Sequence, residues 1–177
     1  MTEIDDKRAI LAVDPGTRDV AFVFFENGRL LDWGKRGRGR DELQVLDELI
    51  DRLRAEVLVL EDPDAIGCER RPRLRRVLRT MVERARSRGV AVKKVSRYSV
   101  RLSWREQGRT TKHTVGEAIA TMFPEMAPFV PRARRRWDIE DPRSGVRDAF
   151  SLLLHVFKTE NGEAAETATS RGLRASA

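Results

Sequence analysis

The sequence offers few of the side chains that build disulfides, zinc sites or aromatic platforms. Its 177 residues include one cysteine, Cys68, and two histidines, His113 and His155. A single cysteine excludes an internal disulfide and fits a reducing cytoplasm, and so few thiols and imidazoles argue against a zinc site. Aromatic residues make up 6% of the chain, which disfavours base stacking on a broad platform of the kind used by single-strand binders.

Long hydrophobic runs are also missing. No apolar stretch approaches the ~20 residues of a membrane-spanning helix, and the N-terminal sequence MTEIDDKR lacks the features of a signal peptide. Hydrophobic residues are 40% and charged residues 36% of the chain, as in a soluble globular protein of one domain. We expect that domain to span residues 1–158 without a membrane partner. Residues 159–177 are small and polar without periodicity, which predicts a disordered tail.

Positive charge is concentrated in the middle of the chain. Residues 69–136 contain 20 Lys and Arg but only 5 Asp and Glu, whereas the whole chain has a net charge of +7. A stretch this basic indicates a polyanionic partner, and the forked guanidinium group suits phosphate oxygens. A GC-rich genome, which favours arginine, or a need for solubility would give the same pattern. The candidate nucleic-acid contacts in or near this stretch are Arg73, Arg76, Arg109, Arg134 and Arg135.

The order of apolar runs predicts an α/β fold with a central five-stranded mixed sheet flanked by helices. Asn27-Gly28 lies between the second and third runs, which predicts an antiparallel meander of three strands. The strands that follow alternate with helical patterns, which predicts parallel pairing. The expected strands are 8–13, 20–25, 29–33, 57–60 and 90–95, and the expected helices are 41–54, 72–88, 114–122 and 142–157, with loops at 34–40 and 123–137.

Two of the predicted strands end on an acid. In the run AILAVDPGT, Asp14 stands just before a Pro-Gly turn. Glu61 directly follows the run VLVL. Strand ends of an α/β sheet meet at one edge, and hard divalent cations prefer clustered carboxylate oxygens. The pair therefore indicates a metal site, the alternative being two ordinary turn acids. Asp148 joins them if the last helix crosses the sheet there; otherwise it is an exposed acid favoured by the helix dipole.

Taken in order, these features resemble the RNase H-like fold, and more narrowly the RuvC-type Holliday junction resolvases. The resemblance rests on DPGT after the first strand, the meander, the acid after the fourth strand and RDAFSLLL in the last helix, within residues 10–157. It implies a three-layer fold, with Asp14, Glu61 and Asp148 as catalytic ligands of Mg²⁺ or Mn²⁺. It also implies a branched DNA partner and a homodimer, and it matches Lys112 to a lysine that reaches the junction backbone.

One position departs from that pattern. The resolvases carry a further acid one helical turn before the last one, and Gly145 stands there in this chain. Asp141 is kept as a candidate fourth metal ligand, although it lies seven residues before Asp148, about 10 Å along a helix. It also fits a helix cap, because Pro142 follows it. The identity of the fourth ligand is therefore left open.

Two functions follow from the resemblance. The first is a Mg²⁺-dependent endonuclease that hydrolyses phosphodiesters in branched DNA by a two-metal-ion mechanism, with Asp14 bridging the ions. The second is a nucleic-acid-binding module that has lost catalysis. The missing acid at Gly145 supports this function, and the presence of the three acids argues against it. A sugar-kinase or actin-like ATPase shares the opening strand pattern, but it needs a second Gly-rich phosphate turn and a duplicated domain.

Overall fold

The computed structural model describes residues 7–37, 39–130 and 144–174, the last segment by backbone alone beyond Glu160. Its strands are β1 (Ile10–Pro15), β2 (Val20–Glu26), β3 (Arg29–Arg36), β4 (Val57–Glu61) and β5 (Ala91–Val95). They form one sheet in the order β3-β2-β1-β4-β5. β1, β2 and β3 pair antiparallel, whereas β4 pairs parallel with both β1 and β5. The predicted mixed sheet is confirmed.

The Asn-Gly turn makes the meander possible. Asn27 has φ of 51° and Gly28 has φ of 72°, so both residues occupy the left-handed region that a tight hairpin between twisted strands requires. β3 then continues to Arg36, through the first three residues of the segment 34–40 that the sequence predicts as a loop. The antiparallel half of the sheet is therefore longer than the apolar runs alone predict.

Helices cover both faces of the sheet. They are α1 (Glu42–Leu53), α2 (Pro72–Ser87), α3 (Arg97–Glu106), α4 (Lys112–Met122) and α5 (Ser144–Arg174), with a short 3-10 helix at Pro124–Phe129. On one face, α1 and α2 bury Leu46, Leu49, Leu78 and Met81 against β1, β2 and β4. On the other, α5 buries Phe150 and Leu153, with Trp104 of α3 and Ile119 of α4 beside them. The result is the three-layer arrangement predicted.

Local sequence signals set where most helices begin. The Asp41 carboxylate accepts hydrogen bonds from the backbone N–H groups of Leu43 and Gln44, as predicted for a helix cap. Pro72 occupies the first turn of α2, where its missing N–H has no consequence. Thr111 caps α4 with a reciprocal bond to Thr114.

Four elements differ from their predictions. α3 is a complete helix in a region where the sequence predicts no element, and residues 124–129 form a 3-10 helix within a predicted loop. The apolar residues at 90–95 predict a mostly buried strand, but in β5 only Val95 is buried, because β5 is an edge strand. The backbone of α5 continues to Arg174 beyond its predicted end near Phe157, so the predicted tail begins within this helix. In the described part of the chain, no helix has the length and hydrophobicity to span a membrane.

Candidate functional site

The alternation of side chains along β1 and β4 brings two acids to one face of the sheet. Ile10 and Ala12 of β1 and Val57 and Val59 of β4 all belong to the core beneath α5. Ala12 pairs with Val59, and the same register continued by two residues places Asp14 beside Glu61. Both acids therefore face α5, and both are buried, at 5% and 1% exposure.

The third acid arrives on α5. Val146, Ala149 and Phe150 are fully buried against the sheet, and they fix the helix so that Asp148 lies over the strand ends. The Asp148 side chain is 19% exposed, which makes it the most accessible of the three carboxylates. The structure thus brings together the three acids that the sequence singles out.

Two arginines lie between these carboxylates. Arg70, in the loop after β4, donates from Nε to Glu61 Oε2 at 2.7 Å and from Nη2 to Asp14 Oδ1. Arg97, the first residue of α3, donates from Nε to the same Glu61 oxygen at 2.9 Å and from Nη2 to the same Asp14 oxygen at 3.0 Å. Its Nη1 also lies 3.5 Å from Asp148 Oδ2. One guanidinium therefore contacts all three acids.

Burial and these charges act in opposite directions on the acids. Burial raises the pKa of Asp14 from 3.8 to about 6, although Arg97 and Arg70 favour its ionised form. Burial also opposes ionisation of Asp148, but Arg147 and Arg97 outweigh it and lower the pKa of that carboxyl. The positive charge of Lys112 contributes to the same lowering, so Lys112 lies within electrostatic reach of Asp148.

Arg147 supports Asp148 from inside the protein. Its side chain is 3% exposed, and Nη2 donates to Asp148 Oδ1 at 2.8 Å. Nη1 has no hydrogen-bond partner among the residues that the structure describes. A buried guanidinium is costly without a counter-charge, so the pair with Asp148 stabilises both groups.

The cluster does not fit a divalent metal ion in this arrangement. The donor chemistry is suitable, because three hard carboxylates converge from three elements. However, within residues 7–37, 39–130 and 144–160, no three Asp, Glu, His or Cys side chains are arranged to hold an ion. The space between Asp14 and Glu61 is instead bridged by Arg70 and Arg97.

Gly145 occupies the position at which the resemblance implies a fourth acid. A Cβ atom there would lie 3.7 Å from Asp14 Oδ2, so this position borders the cluster. Asp141, the alternative fourth ligand, lies outside the described residues, as do Arg134 and Arg135.

The other predicted DNA contacts lie on both sides of the sheet. Arg73 is exposed at the start of α2 and pairs with Glu42 of α1, and Arg76 is exposed one turn later. Arg109 is exposed after α3, and Lys112 is exposed in the first turn of α4. Of these four, Lys112 contributes to the lowered pKa of Asp148.

Several solved structures resemble this chain over most of its length. Thermus thermophilus RuvC gives a TM-score of 0.58 at 17% identity, covering 87% of this chain and 96% of that one. T. thermophilus RuvC in complex with a Holliday junction substrate gives 0.54 at 16% identity, covering 88% and 96%. The yeast mitochondrial Holliday junction resolvase Ydc2 gives 0.57 at 13% identity, covering 88% and 80%. The fold is RuvC-type and RNase H-like.

The likeness to RuvC lies in the fold rather than in the sequence. No protein-family model matches this sequence, and no curated protein matches it either. The RuvC-type fold confirms the predicted sheet, its order of elements and its flanking helices. It leaves the roles of individual site residues as predictions.

Sequence reasoning missed the two arginines and a thiol that contact the carboxylates at the strand ends of the RuvC-type fold. Arg97 follows Val95, which pairs with Glu61, so the end of β5 was a signal for it. Arg70 follows the end of β4 by nine residues and has no comparable signal. Cys68, in the same loop, places Sγ 3.7 Å from Glu61 Oε1.

Proposed function

We propose that this chain is an endonuclease that cuts branched DNA and depends on a divalent metal, Mg²⁺ or Mn²⁺. The observation that carries the proposal is the convergence of Asp14, Glu61 and Asp148 on one guanidinium at the carboxyl ends of β1 and β4. In a RuvC-type fold this edge of the sheet is where a binding site is expected. Buried carboxylates with a specific charge partner and a shifted pKa, as at Asp14, are typical of candidate functional sites.

The surroundings of the carboxylates support a nucleic-acid substrate. Arg101 and Arg105 lie exposed on α3, and Lys112 lies close to Asp148, so a phosphate backbone at the site meets positive charge. Phosphate contacts of this kind give affinity without sequence preference. The branched form of the DNA is inferred from what the similar solved structures bind or resolve, namely Holliday junctions. A homodimer belongs to the same proposal, because a four-way junction presents two equivalent strands.

A second candidate function has its own observation. Arg70 and Arg97 supply positive charge between the acids, and Gly145 offers no side chain at the fourth position. A site that is neutralised in this way fits a module that binds branched DNA without cutting it.

One experiment separates the two functions. The protein is incubated with a labelled four-way junction and with duplex DNA in Mg²⁺ and in Mn²⁺, and cleavage and binding are measured separately. The nuclease proposal predicts metal-dependent cuts in the junction that Asp14→Asn reduces by at least about a hundredfold, which is about 3 kcal/mol of transition-state stabilisation. Junction affinity is expected to change little. Glu61→Gln is the matched second variant, and binding without any cleavage would favour the module.

A further inference from the structure

Arg70 and Arg97 converge on the same two oxygen atoms. Asp14 Oδ1 and Glu61 Oε2 each accept hydrogen bonds from both arginines. Two guanidiniums of like charge repel each other, so they stay together only because the buried acids hold them. The position of the two arginine side chains is therefore determined by their ion pairs with the carboxylates.

The charges within the cluster balance. Asp14, Glu61 and Asp148 supply three negative charges, and Arg70, Arg97 and Arg147 supply three positive charges. A divalent ion placed between Asp14 and Glu61 would meet two guanidiniums at the oxygens it needs. It would bind only if those guanidiniums left.

The two arginines differ from the acids in how they reach the site. Their side chains are 19% and 22% exposed, against 6% for Asp14 and 1% for Glu61. Arg70 comes from a loop and Arg97 from the first turn of α3, so both reach inward from the surface. Because neither residue belongs to a strand, their departure would require no movement of β1 or β4.

We propose that Arg70 and Arg97 form an arginine latch that excludes divalent metal from the carboxylates until DNA phosphates draw the two guanidiniums away. The guanidinium fork binds phosphate as readily as carboxylate, so a backbone phosphate at this edge competes for the same donors. Metal binding and DNA binding are then coupled, each promoting the other. The latch deepens the proposed nuclease function and names two residues that regulate it.

The test measures metal binding rather than cleavage. Mn²⁺ is titrated into the full-length protein, and free Mn²⁺ is followed by electron paramagnetic resonance, with and without a four-way junction. The latch predicts weak Mn²⁺ binding by the wild type alone and binding at least about tenfold tighter with Arg70→Gln and Arg97→Gln combined. Adding the junction is expected to tighten Mn²⁺ binding by the wild type and to have a much smaller effect on the variant. Equal Mn²⁺ affinity of the wild type with and without DNA would overturn the proposal.

Controls separate the latch from general charge and from folding. Arg84→Gln removes an exposed arginine on α2 that pairs with Asp47 of α1, away from the carboxylates, and it is expected to leave Mn²⁺ affinity unchanged. Adding Asp14→Asn and Glu61→Gln to the double variant is expected to abolish the gain. If the double variant does not fold, the junction dependence in the wild type and the single Arg70→Gln variant decide the question.

The outcome is also distinct from that of the nuclease proposal. Coupled Mn²⁺ and junction binding without cleavage by any variant supports the latch and contradicts the nuclease. Cleavage by a wild type whose Mn²⁺ affinity equals that of the double variant supports the nuclease and contradicts the latch.

Discussion

Gly145 in the first turn of α5 packs directly against Ala21 of β2: a Cβ atom on Gly145 would lie 2.9 Å from the Cβ atom of Ala21. Two such atoms overlap at this distance. The position is therefore closed to any side chain unless the helix or the strand moves. An acid at this position, as in the resolvase pattern, needs more room than this chain provides, so the missing acid and the close packing are one feature.

The first prediction concerns this contact. Alanine normally stabilises a helix by up to about 1 kcal/mol over glycine, but Gly145→Ala is expected to lower the free energy of unfolding by about 1–3 kcal/mol because of the overlap. Combining it with Ala21→Gly is expected to restore much of the loss. Urea unfolding curves of the wild type and of the two variants measure this. A Gly145→Ala protein as stable as the wild type would show that α5 moves freely here.

The second prediction follows from the raised pKa of Asp14. Because burial raises that pKa from 3.8 to about 6, the stability associated with its neutral form is present below about pH 4 and is lost as pH rises through about 6. An asparagine side chain does not ionise. The free energy of unfolding of Asp14→Asn is therefore expected to rise relative to that of the wild type between pH 4 and 7, by at most about 3 kcal/mol. Thermal unfolding in metal-free buffer without DNA measures this difference.

Asp47 gives a control of opposite sign. Its pKa is lowered, chiefly by the hydrogen bond from Arg84. Its stabilising contribution is present above the unfolded pKa and is lost as pH falls through the lower folded value. Asp47→Asn is therefore expected to lose stability relative to the wild type as pH rises from 3 to 5. The same trend in both variants would contradict the assignment at Asp14.

The third prediction concerns DNA affinity at the carboxylate edge. Lys112→Ala is expected to weaken junction binding and to reduce the slope of log affinity against log salt by about one, as for a single phosphate contact. Arg86→Ala is the matched control, because Arg86 is exposed near the end of α2, away from that edge. Fluorescence anisotropy at several salt concentrations measures both slopes. Equal losses in the two variants would mean that charge alone, not its location, determines binding.

The strands and their terminal acids could be predicted because each has a strong local signal. β1 and β4 are short, continuous apolar runs that end at a carboxylate, and Asn27-Gly28 specifies the hairpin almost alone. Parallel pairing follows from the helices between the strands. These features are determined by residues that are close together in the sequence, so they can be predicted from the sequence of one protein.

α3 and the arginine latch could not be predicted, for a different reason. α3 buries only Val100 and Trp104, and two apolar anchors in ten residues do not establish a helical period. Arg70 has Arg71 beside it, and nothing local distinguishes the arginine that reaches Asp14 from its neighbour. The partner of a long charged side chain depends on which acids the fold brings close to it. Those acids are distant in sequence, so the contact is set by the tertiary structure.

The fourth prediction tests whether α5 holds Asp148 by packing. Phe150 is fully buried, with its ring centre 5.7 Å from that of Phe25 and 5.0 Å from that of Phe123. Phe150→Ala is expected to lower the free energy of unfolding by about 3–5 kcal/mol, since it removes a ring and leaves a cavity between helix and sheet. Phe150→Leu keeps most of the volume and is expected to lose less. Denaturant midpoints at an unchanged m-value measure both losses. Loss of stability without loss of junction binding in Phe150→Leu would show that the DNA surface tolerates small shifts of α5, whereas parallel losses would tie the surface to the packing of this helix.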